Sequence, residues 1–395
     1  MLITGDWHLG KIINNYSLLE QQKQVVEQIK GQAIDNNVDA VIITGDIYDR
    51  AIPPKEAIAV FDAFVTELVG KKKIRVIAIA GNHDSQERLS FGSGLLSETG
   101  YHIASKYDGR IERVTLHDDF GPVHVHLIPF LSYQEVRAIL KDESIDSYHT
   151  AYQRMLEAET IDTSERNVLV THAYVVSNTV MPETSDSEKM LALGGIDYVD
   201  RDLFKDFDFV ALGHMHKPQK IGDPNNRYSG SIMKYSFSEA NHKKSTILLD
   251  LKAKHDTTYE LLPLRSKPDL VVIQDYFANI IGDKERLSAH RNDYVKIILE
   301  DEKEILEPVP RLKEVLPLIM EFKYAYPRAF AIERSLMSES LAEQLHGKEK
   351  TRFPELVLNM FEDFAAKTAS YELNEKERAL IQDAVQQLIK EEGQS

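Results

Sequence analysis

The sequence contains no cysteine among its 395 residues. This absence excludes disulfide bonds and thiolate metal sites, and it fits a reducing compartment. No segment approaches about 18 consecutive apolar residues, so we expect no membrane span. The N-terminus lacks the basic start of a signal peptide, and its apolar run ends at Asp6. We therefore expect a globular chain in the cytoplasm.

Positive charge is also scarce, because 47 Lys and Arg residues face 63 Asp and Glu residues, giving a formal net charge of -16. This balance argues against nucleic acid as a ligand, since nucleic acid usually draws a basic surface. The objection is weaker for an enzyme whose acidic residues hold cations, because bound metals add local positive charge. The net charge also does not describe the charge of local surface patches.

The pattern along the first part of the chain predicts an α/β fold. The strand-like runs "MLIT", "DAVIIT" and "IRVIAIA" alternate with a helix over roughly 18–36 and another from Pro53–Pro54 to Gly70. This βαβαβ order is typical of a parallel sheet with helices on its faces. Further strands are predicted at "VHVHLIPF", "NVLVTH", "FDFVALGH", "STILLDL" and "TYELLPL". No helix separates the last of these, so part of the sheet should be antiparallel.

The length predicts two or three domains, and "PLRSKPD" (263–269) marks a boundary. A small α+β unit of about 60 residues follows it. Its elements are the strand "LVVIQ", the helix "YFANIIG", the strand "DYVKIILED", the helix "VPRLKEVLPLIM" and the strand "EFKYAYP". We predict a main domain over 1–266, a small domain over 267–335, a linker over 336–352 and a helical tail over 353–395.

The tail contains two amphipathic patterns. One carries Phe353, Val357, Phe361 and Phe364, and the other carries Ile381, Val385, Leu388 and Ile389. The two helices either pack back on the body of the chain or dock another protein.

Five short motifs share one placement, because each lies where an apolar strand ends. They are "GDWH" (5–8), "GDIYD" (45–49), "GNHD" (81–84), "TH" (171–172) and "GHMH" (213–216). Ligands bind at the carboxyl ends of strands in open α/β sheets, and a preceding glycine allows a tight turn there. We expect eight side chains at one edge: Asp6, His8, Asp46, Asn82, His83, His172, His214 and His216.

Carboxylate, amide and imidazole groups without thiolate suit a divalent ion such as manganese, iron or zinc. These ligands are too many for one ion, whereas two ions about 3.5–4 Å apart would use them and clamp a phosphate. Asp46 is central in the sequence and in the inferred sheet order, so we predict that it bridges the ions. Two ligand sets complete the predicted centre: Asp6, His8 and His216 for one ion, and Asn82, His172 and His214 for the other.

Each residue alone also has a structural explanation. Asp6 could cap a helix, Asn82 or Asp84 could serve a turn or an N-cap, and a lone His8 or His172 is more often a surface or core histidine. His124 and His126 of "VHVH" alternate without a glycine turn, so we interpret them as structural or solvent-facing. The joint recurrence of all five motifs in this order favours the metal interpretation.

The five motifs resemble those of the calcineurin-like metallophosphoesterases. The resemblance implies a two-sheet α/β sandwich with helices on both faces around a dinuclear metal site. Within that family, most of residues 1–240 is similar to the DNA-repair nucleases. The stretches concerned are "DWHLGK", "GDIYDRAIPP", "GNHDSQERLSFG", "LGHMHKPQ" and "YSGSIMKYSFSE".

The resemblance implies a manganese-dependent exonuclease on double-stranded DNA ends and an endonuclease on single strands and hairpins. It also implies a role in repair, recombination and replication at the nucleoid, a capping domain that contacts DNA, and a homodimer. An ATPase partner would bind through the C-terminal helices.

His83 is not needed as a ligand, so it is free to act as a general acid or to stabilise the transition state. Asp84 would orient His83 through a hydrogen bond or cap a helix, and Asp49 would support the ligands from behind.

Two other functions compete with the nuclease. One is a phosphatase or cyclic-nucleotide phosphodiesterase acting on small substrates, which the acidic charge favours and the additional domain and tail disfavour. The other is a non-catalytic scaffold, which the complete ligand set disfavours.

Overall fold

Two six-stranded sheets lie face to face in the structure, a computed structural model that describes residues 1–177, 180–188, 198–325, 374–381 and 383. Residues Met1–Ala325 form one compact unit, and Tyr326–Ser395 form a second. None of the helices in the described part of the chain is both long and apolar enough to span a bilayer.

The strands of the described residues are numbered in chain order. They are β1 (Leu2–Thr4), β2 (Ile12–Ile13), β3 (Tyr16–Ser17), β4 (Ala40–Ile43), β5 (Arg75–Ile79), β6 (Tyr101–Ala104), β7 (Glu112–Asp118), β8 (Gly121–Ile128), β9 (Arg166–His172), β10 (Val175–Val176), β11 (Val199–Asp200), β12 (Phe209–Gly213), β13 (Gln219–Ile221), β14 (Asp223–Tyr228), β15 (Ser245–Leu251), β16 (Thr257–Pro263), β17 (Leu270–Asp275), β18 (Tyr294–Leu299) and β19 (Ile319–Tyr324).

The α-helices are numbered in the same way. They are α1 (Leu19–Asp35), α2 (Lys55–Val65), α3 (Gln86–Ser90), α4 (Ser93–Ser97), α5 (Tyr133–Leu140), α6 (Tyr148–Glu157), α7 (Phe277–Gly282), α8 (Lys284–Leu287) and α9 (Pro308–Lys313). A π-helical segment, Thr66–Lys72, continues α2.

The first sheet has the order β16-β15-β1-β4-β5-β6, and β1, β4, β5 and β6 run parallel. The second has the order β13-β14-β12-β9-β8-β7, and β8, β9, β12 and β14 run parallel. The predicted antiparallel part is confirmed, because β15 pairs antiparallel with both β1 and β16.

The core between the sheets explains why the central strands are apolar on both faces, as in a parallel sheet covered on each side. Ile3, Ile42 and Ile77 of the first sheet pack in one cluster with Val168 and Phe209 of the second. Helices α1 and α2 cover the outer face of the first sheet, and α5 and α6 cover that of the second. The predicted two-sheet sandwich with helices on both faces is confirmed.

The small α+β unit has its own parallel sheet, β17-β18-β19, and its own apolar core around Ile280, Val295 and Leu316. It contacts the main body through Lys234 and Asp269, whose charged groups lie 2.9 Å apart, and through Gln21, which donates to the Tyr294 hydroxyl at 3.2 Å. The predicted boundary at 267 stays a prediction, because Met1–Ala325 form one unit.

One element of this unit was predicted wrongly. The helix predicted over "VPRLKEVLPLIM" ends at Lys313, and its last two residues, Ile319 and Met320, begin β19. Pro317 explains the difference, since proline disfavours helical backbone at the preceding residue and lacks an N–H for the ladder.

The predicted linker, 336–352, and the first tail helix lie outside the described residues. Residues 375–381 are helical. Of the four apolar positions predicted for the second tail helix, the structure describes only Ile381.

Candidate metal centre

The five motifs follow β1, β4, β5, β9 and β12, which are neighbouring parallel strands within each sheet. Their carboxyl ends meet at one edge of the sandwich. Backbone hydrogen bonds align the loops there, since the N–H of Asp6 donates to the Gly45 carbonyl at 3.0 Å and that of His8 donates to the Asp46 carbonyl at 2.9 Å. The predicted gathering of the motifs at one edge is therefore observed.

Four of the predicted ligands have left-handed backbone, with φ values of 49° at Asp6, 45° at His8, 49° at Asp46 and 99° at His214. This region is uncommon for residues with a side chain, and such strained positions cluster at functional sites. The strain turns each side chain into the crevice directly after its strand.

Glycine is required at two of these strand ends. A Cβ at Gly81 would lie 2.2 Å from Oδ1 of Asp46, and one at Gly213 would lie 2.0 Å from the Thr44 carbonyl. Because such distances are far below van der Waals contact, a larger residue at either position would displace the loops.

The first predicted ligand set forms a buried cluster. The donor atoms of Asp6, His8 and His216 lie within 4.8 Å of one another. The Nε2 atoms of His8 and His216 are 3.1 Å apart. Two imidazole nitrogens at this distance either share a proton or point their lone pairs at a common cation.

The second set meets around the Asn82 amide oxygen. Its Oδ1 lies 2.9 Å from Nε2 of His172 and 3.2 Å from Nδ1 of His214. The Oδ2 atom of Asp46 lies between the two sets, 3.5 Å from Nε2 of His8 and 3.6 Å from Nε2 of His172. This geometry matches the predicted grouping, while the ligand roles themselves stay a prediction.

The donor set fits divalent cations on two observations. First, Oδ2 of Asp6 is buried and has no hydrogen-bond partner within the described part of the chain. Second, burial, followed by the nearby Asp46 carboxylate, raises the pKa of Asp6 well above its usual range. A cation would satisfy the orphaned oxygen and favour the ionised form of the carboxyl.

The histidines are suited to the same role. Burial is the largest cause that lowers the pKa of His8 and His214 well below the usual range, and the neighbouring imidazoles His216 and His172, respectively, lower it further. Burial also lowers the pKa of His172. The imidazoles are therefore neutral near pH 7, which leaves a lone pair on one ring nitrogen for a metal.

His83 lies beside this centre with one ring nitrogen occupied. Its Nδ1 lies 2.7 Å from the Asp49 carbonyl oxygen, so Nδ1 carries a hydrogen and donates it. Its ring meets that of His8 edge to face, with centroids 4.7 Å apart. Nε2 is consequently the nitrogen that can exchange a proton with a substrate.

Two of the predicted roles of Asp84, the hydrogen bond to His83 and the helix cap, are wrong, whereas its role in a turn is observed. Its carboxylate accepts hydrogen bonds from the N–H groups of Ile47 at 3.1 Å, Tyr48 at 3.0 Å and Gly81 at 2.9 Å. The His83 ring is anchored by a backbone carbonyl instead, and the N-cap of α3 is Ser85, which accepts from the Arg88 N–H at 3.4 Å. Asp84 therefore ties the "GDIYD" loop to the "GNHD" loop.

Asp49 lies behind His8, as predicted for a supporting residue. Its Oδ1 is 3.8 Å from Nδ1 of His8 and 2.8 Å from Nζ of Lys11. The distance to His8 is too long for a direct hydrogen bond, so the supporting role stays a prediction.

The sequence analysis missed a buried network behind His216. Glu239 is fully buried, and one of its carboxylate oxygens lies 3.1 Å from Nδ1 of His216. Lys244 donates to the other oxygen at 2.6 Å and to the His216 carbonyl at 2.8 Å. Ser187 lies 2.7 Å from the same Nδ1. The stretch "YSGSIMKYSFSE" that resembles the nucleases ends at Glu239, but no pattern in it indicates that this carboxylate contacts His216.

The interpretation of His124 and His126 as structural is confirmed. Both are buried in β8. His124 lies 2.9 Å from Thr115 and 2.5 Å from Glu165, and His126 lies 3.0 Å from Asn167.

Comparisons with known proteins agree with this geometry. The family model described as calcineurin-like phosphoesterase matches residues 1–218. The D subunit of the nuclease SbcCD from Staphylococcus epidermidis is 34% identical over 80% of this chain and 83% of its own length. The protein of the same name from Staphylococcus saprophyticus is 32% identical, over 80% of this chain and 81% of its own.

A solved structure, TT1561 of Thermus thermophilus, covers 67% of this chain and 98% of its own, with 13% identity and a TM-score of 0.40. This likeness is too low to add to the assignment, which depends on the family model and the two relatives. The chain belongs to the calcineurin-like phosphoesterases and, within them, to the family of the nuclease SbcCD D subunits.

Proposed function

We propose that the chain is a two-metal DNA nuclease that acts with an SbcC-type ATPase. It hydrolyses phosphodiester bonds from double-stranded ends and also cuts single strands and hairpins, in repair, recombination and replication at the nucleoid of the cytoplasm. The proposal depends on the position of Asp46, because its Oδ2 lies within 3.6 Å of a histidine nitrogen from each ligand set. The names of the two relatives support the nuclease activity.

One cation would be held by Asp6, His8 and His216. The other would be held by Asn82, His172 and His214. Asp46 would contribute to both sites. When bound, two divalent cations offset charge on the phosphate oxygens and lower the pKa of the attacking water. The chain's own contribution is to hold these donors rigidly on strand ends. The donor types suit manganese, iron or zinc, and we propose manganese, as the family resemblance implies.

His83 is proposed as the general acid. With Nδ1 anchored to the Asp49 carbonyl, a protonated Nε2 would give its proton to the leaving sugar oxygen as the P–O bond breaks. The edge-to-face contact with His8 keeps the ring next to the metal ligands without requiring it to be one.

The second candidate is a phosphatase or cyclic-nucleotide phosphodiesterase, which the net charge of -16 favours. The small domain is proposed to span 267–335 and to contact DNA. It favours the nuclease, because an enzyme acting on a small substrate would not need a DNA-contacting domain. The deciding experiment compares cleavage of a DNA hairpin and of an end-blocked duplex with hydrolysis of bis-p-nitrophenyl phosphate, in manganese, magnesium and zinc. Activity on the small ester alone would refute the nuclease.

The ATPase partner is proposed to bind the C-terminal helices, 353–395. Deleting these residues should abolish co-purification with an SbcC-type ATPase while hydrolysis of the small ester is retained. Retained co-purification would place the contact elsewhere.

A homodimer is proposed, as the family resemblance implies, and the exposed apolar surface on α4 and the turn before it is proposed as its contact. Phe91 is 87% exposed there, and Leu95 is 74% exposed. Changing Phe91 to Glu should convert a dimer into a monomer in light scattering, whereas the matched change at Phe120, which is 58% exposed in the turn between β7 and β8, should not. A wild-type monomer at micromolar concentration would refute the dimer.

A further inference from the structure

A cavity lies away from the metal centre, and most of its charged lining residues are basic. It has a volume of about 500 Å³ and is lined by Lys73 and Arg75 at the start of β5, His102 on β6, Arg113 on β7, and Glu98 after α4. In a chain with a net charge of -16, three Lys and Arg residues with one acidic side chain form a local excess of positive charge. A multiply charged anion placed among these cations would be attracted by all of them.

The cavity and the metal centre lie at opposite ends of β5. Arg75 begins the strand, and Gly81 follows its other end. Six residues of extended chain separate them by about 20 Å, at about 3.3 Å per residue. A ligand in the cavity is therefore distinct from a substrate held at the metals.

The basic side chains keep donors free for a ligand. Within the described part of the chain, neither Arg75 nor Arg113 forms an ion pair. Lys73 gives one of its three hydrogens to the Gly70 carbonyl at 2.8 Å, so two remain. By contrast, the hydroxyls of Ser97 and Thr99 are used by backbone carbonyls at 2.8 Å and 2.6 Å. The bases are thus the groups that would recognise a ligand.

Charge and size together define the ligand class. A guanidinium binds two oxygens of one phosphate with parallel hydrogen bonds. A phosphomonoester, with close to two negative charges, gains more from several cations than a phosphodiester with one. A volume of about 500 Å³ falls in the range of cavities that take small organic ligands rather than a bare ion.

We infer that this cavity is a second anion site, which binds the phosphomonoester of a nucleoside monophosphate. Phosphate binding is inferred from the lining residues of the cavity alone. The nucleoside part rests on the proposed function, since a nuclease releases nucleoside monophosphates as products.

The test is calorimetric binding of dAMP, glucose 6-phosphate and deoxyadenosine to the full-length chain, with manganese and again with EDTA. We expect dAMP to bind under both conditions and more tightly than glucose 6-phosphate, and deoxyadenosine not to bind. Arg75→Glu and Arg113→Glu should each weaken dAMP binding at least tenfold. Both side chains are exposed, so these variants should fold.

Lys72→Glu is the matched control, because it replaces a cation with Glu at the end of the neighbouring π-helical segment, on a residue that does not line the cavity. We expect it to weaken binding less than twofold. Absence of dAMP binding, or equal weakening in all three variants, would overturn the anion site. Equal affinity for glucose 6-phosphate would overturn the nucleoside part. If dAMP bound in the cavity of a chain that had no nuclease activity, the anion site would stand although the proposed function had failed.

Discussion

Glu239 holds His216 from the side opposite His8. The Nδ1 atom of His216 lies 3.1 Å from Oε1 of Glu239, and its Nε2 lies 3.1 Å from Nε2 of His8. A proton on Nδ1 would be donated to the carboxylate, which leaves the Nε2 lone pair directed toward the predicted metal centre. Carboxylates behind metal-binding histidines fix the tautomer in this way.

Glu239→Gln should weaken metal binding by about 10- to 100-fold, since the amide no longer selects the same tautomer. It should also lower stability by about 3 kcal/mol or more, because it leaves the Lys244 ammonium buried without its partner. Titration calorimetry with manganese and urea unfolding of the metal-free chain measure the two effects separately.

The double variant Glu239→Gln/Lys244→Met serves as the control for that variant. Removing the buried cation should restore much of the lost stability, while metal affinity stays low. Recovery of metal affinity in the double variant would mean that Glu239 acts only through stability.

The strand pattern was sufficient to predict a parallel α/β sheet and the gathering of the ligand-type residues, whereas the two-sheet sandwich was predicted only from the family resemblance. A run such as "AVIIT" followed by Gly-Asp predicts both a strand and a functional residue at its end, since strand ends of a parallel sheet meet at one edge. Every predicted strand of the main domain is present in the structure.

Other features depend on contacts that no local pattern encodes. The anchor of the His83 ring is a backbone carbonyl of Asp49, 34 residues away, and carbonyls carry no sequence signature. The partners of Asp84 are likewise backbone N–H groups of another loop. Glu239 becomes identifiable only when the fold brings its carboxylate against His216.

Removing the metals should lower the thermal midpoint of the wild-type chain. Cations that bind only the folded state stabilise it by about 2.7 kcal/mol when their concentration is 100 times the dissociation constant. EDTA should therefore lower the midpoint by several degrees, and manganese should restore it.

Asp46→Asn should abolish most of this response, because the amide lacks the charge needed to bridge two ions. Its hydrolytic rate should fall more than a hundredfold, beyond the range of losses caused by residues behind the ligands. An unchanged response to manganese would contradict the bridging role of Asp46.

His83→Gln should retain its metals but cleave DNA about 10²- to 10⁴-fold more slowly, the usual contribution of a general acid. On bis-p-nitrophenyl phosphate the loss should be much smaller, since p-nitrophenolate leaves without protonation. Equal losses on both substrates, with metal content unchanged, would remove the general-acid role.

Asp84→Asn tests whether Asp84 joins the "GDIYD" and "GNHD" loops or orients the His83 ring. It should destabilise the chain by about 1–3 kcal/mol, because the amide offers one oxygen in place of the two that accept from the buried N–H groups of Ile47, Tyr48 and Gly81. The loss of activity should be similar on DNA and on the p-nitrophenyl ester. A leaving-group dependence like that of His83→Gln would instead restore the predicted orienting role.

Asp118 gives a prediction for the pH dependence of stability. Its carboxylate receives two hydrogen bonds from the buried guanidinium of Arg166, at 2.9 Å and 2.5 Å, and these hydrogen bonds are the largest cause that lowers its pKa. A carboxyl whose pKa is lowered by folding stabilises the folded state above its unfolded pKa, which is about 3.9. That contribution disappears as the pH falls through the lower pKa of the folded state.

Asp118→Asn should therefore lower stability near neutral pH by about 1 kcal/mol, a modest value because the carboxylate is partly exposed. The difference from wild type should narrow as the pH falls below about 4. The matched control is Asp142→Asn, which removes one of the two acidic partners of the more exposed Arg154, 3.1 Å away, and should have a smaller effect. Urea midpoints measured over this pH range provide the comparison. If the stability difference between Asp118→Asn and wild type widened toward acid pH, folding would not lower the pKa of Asp118.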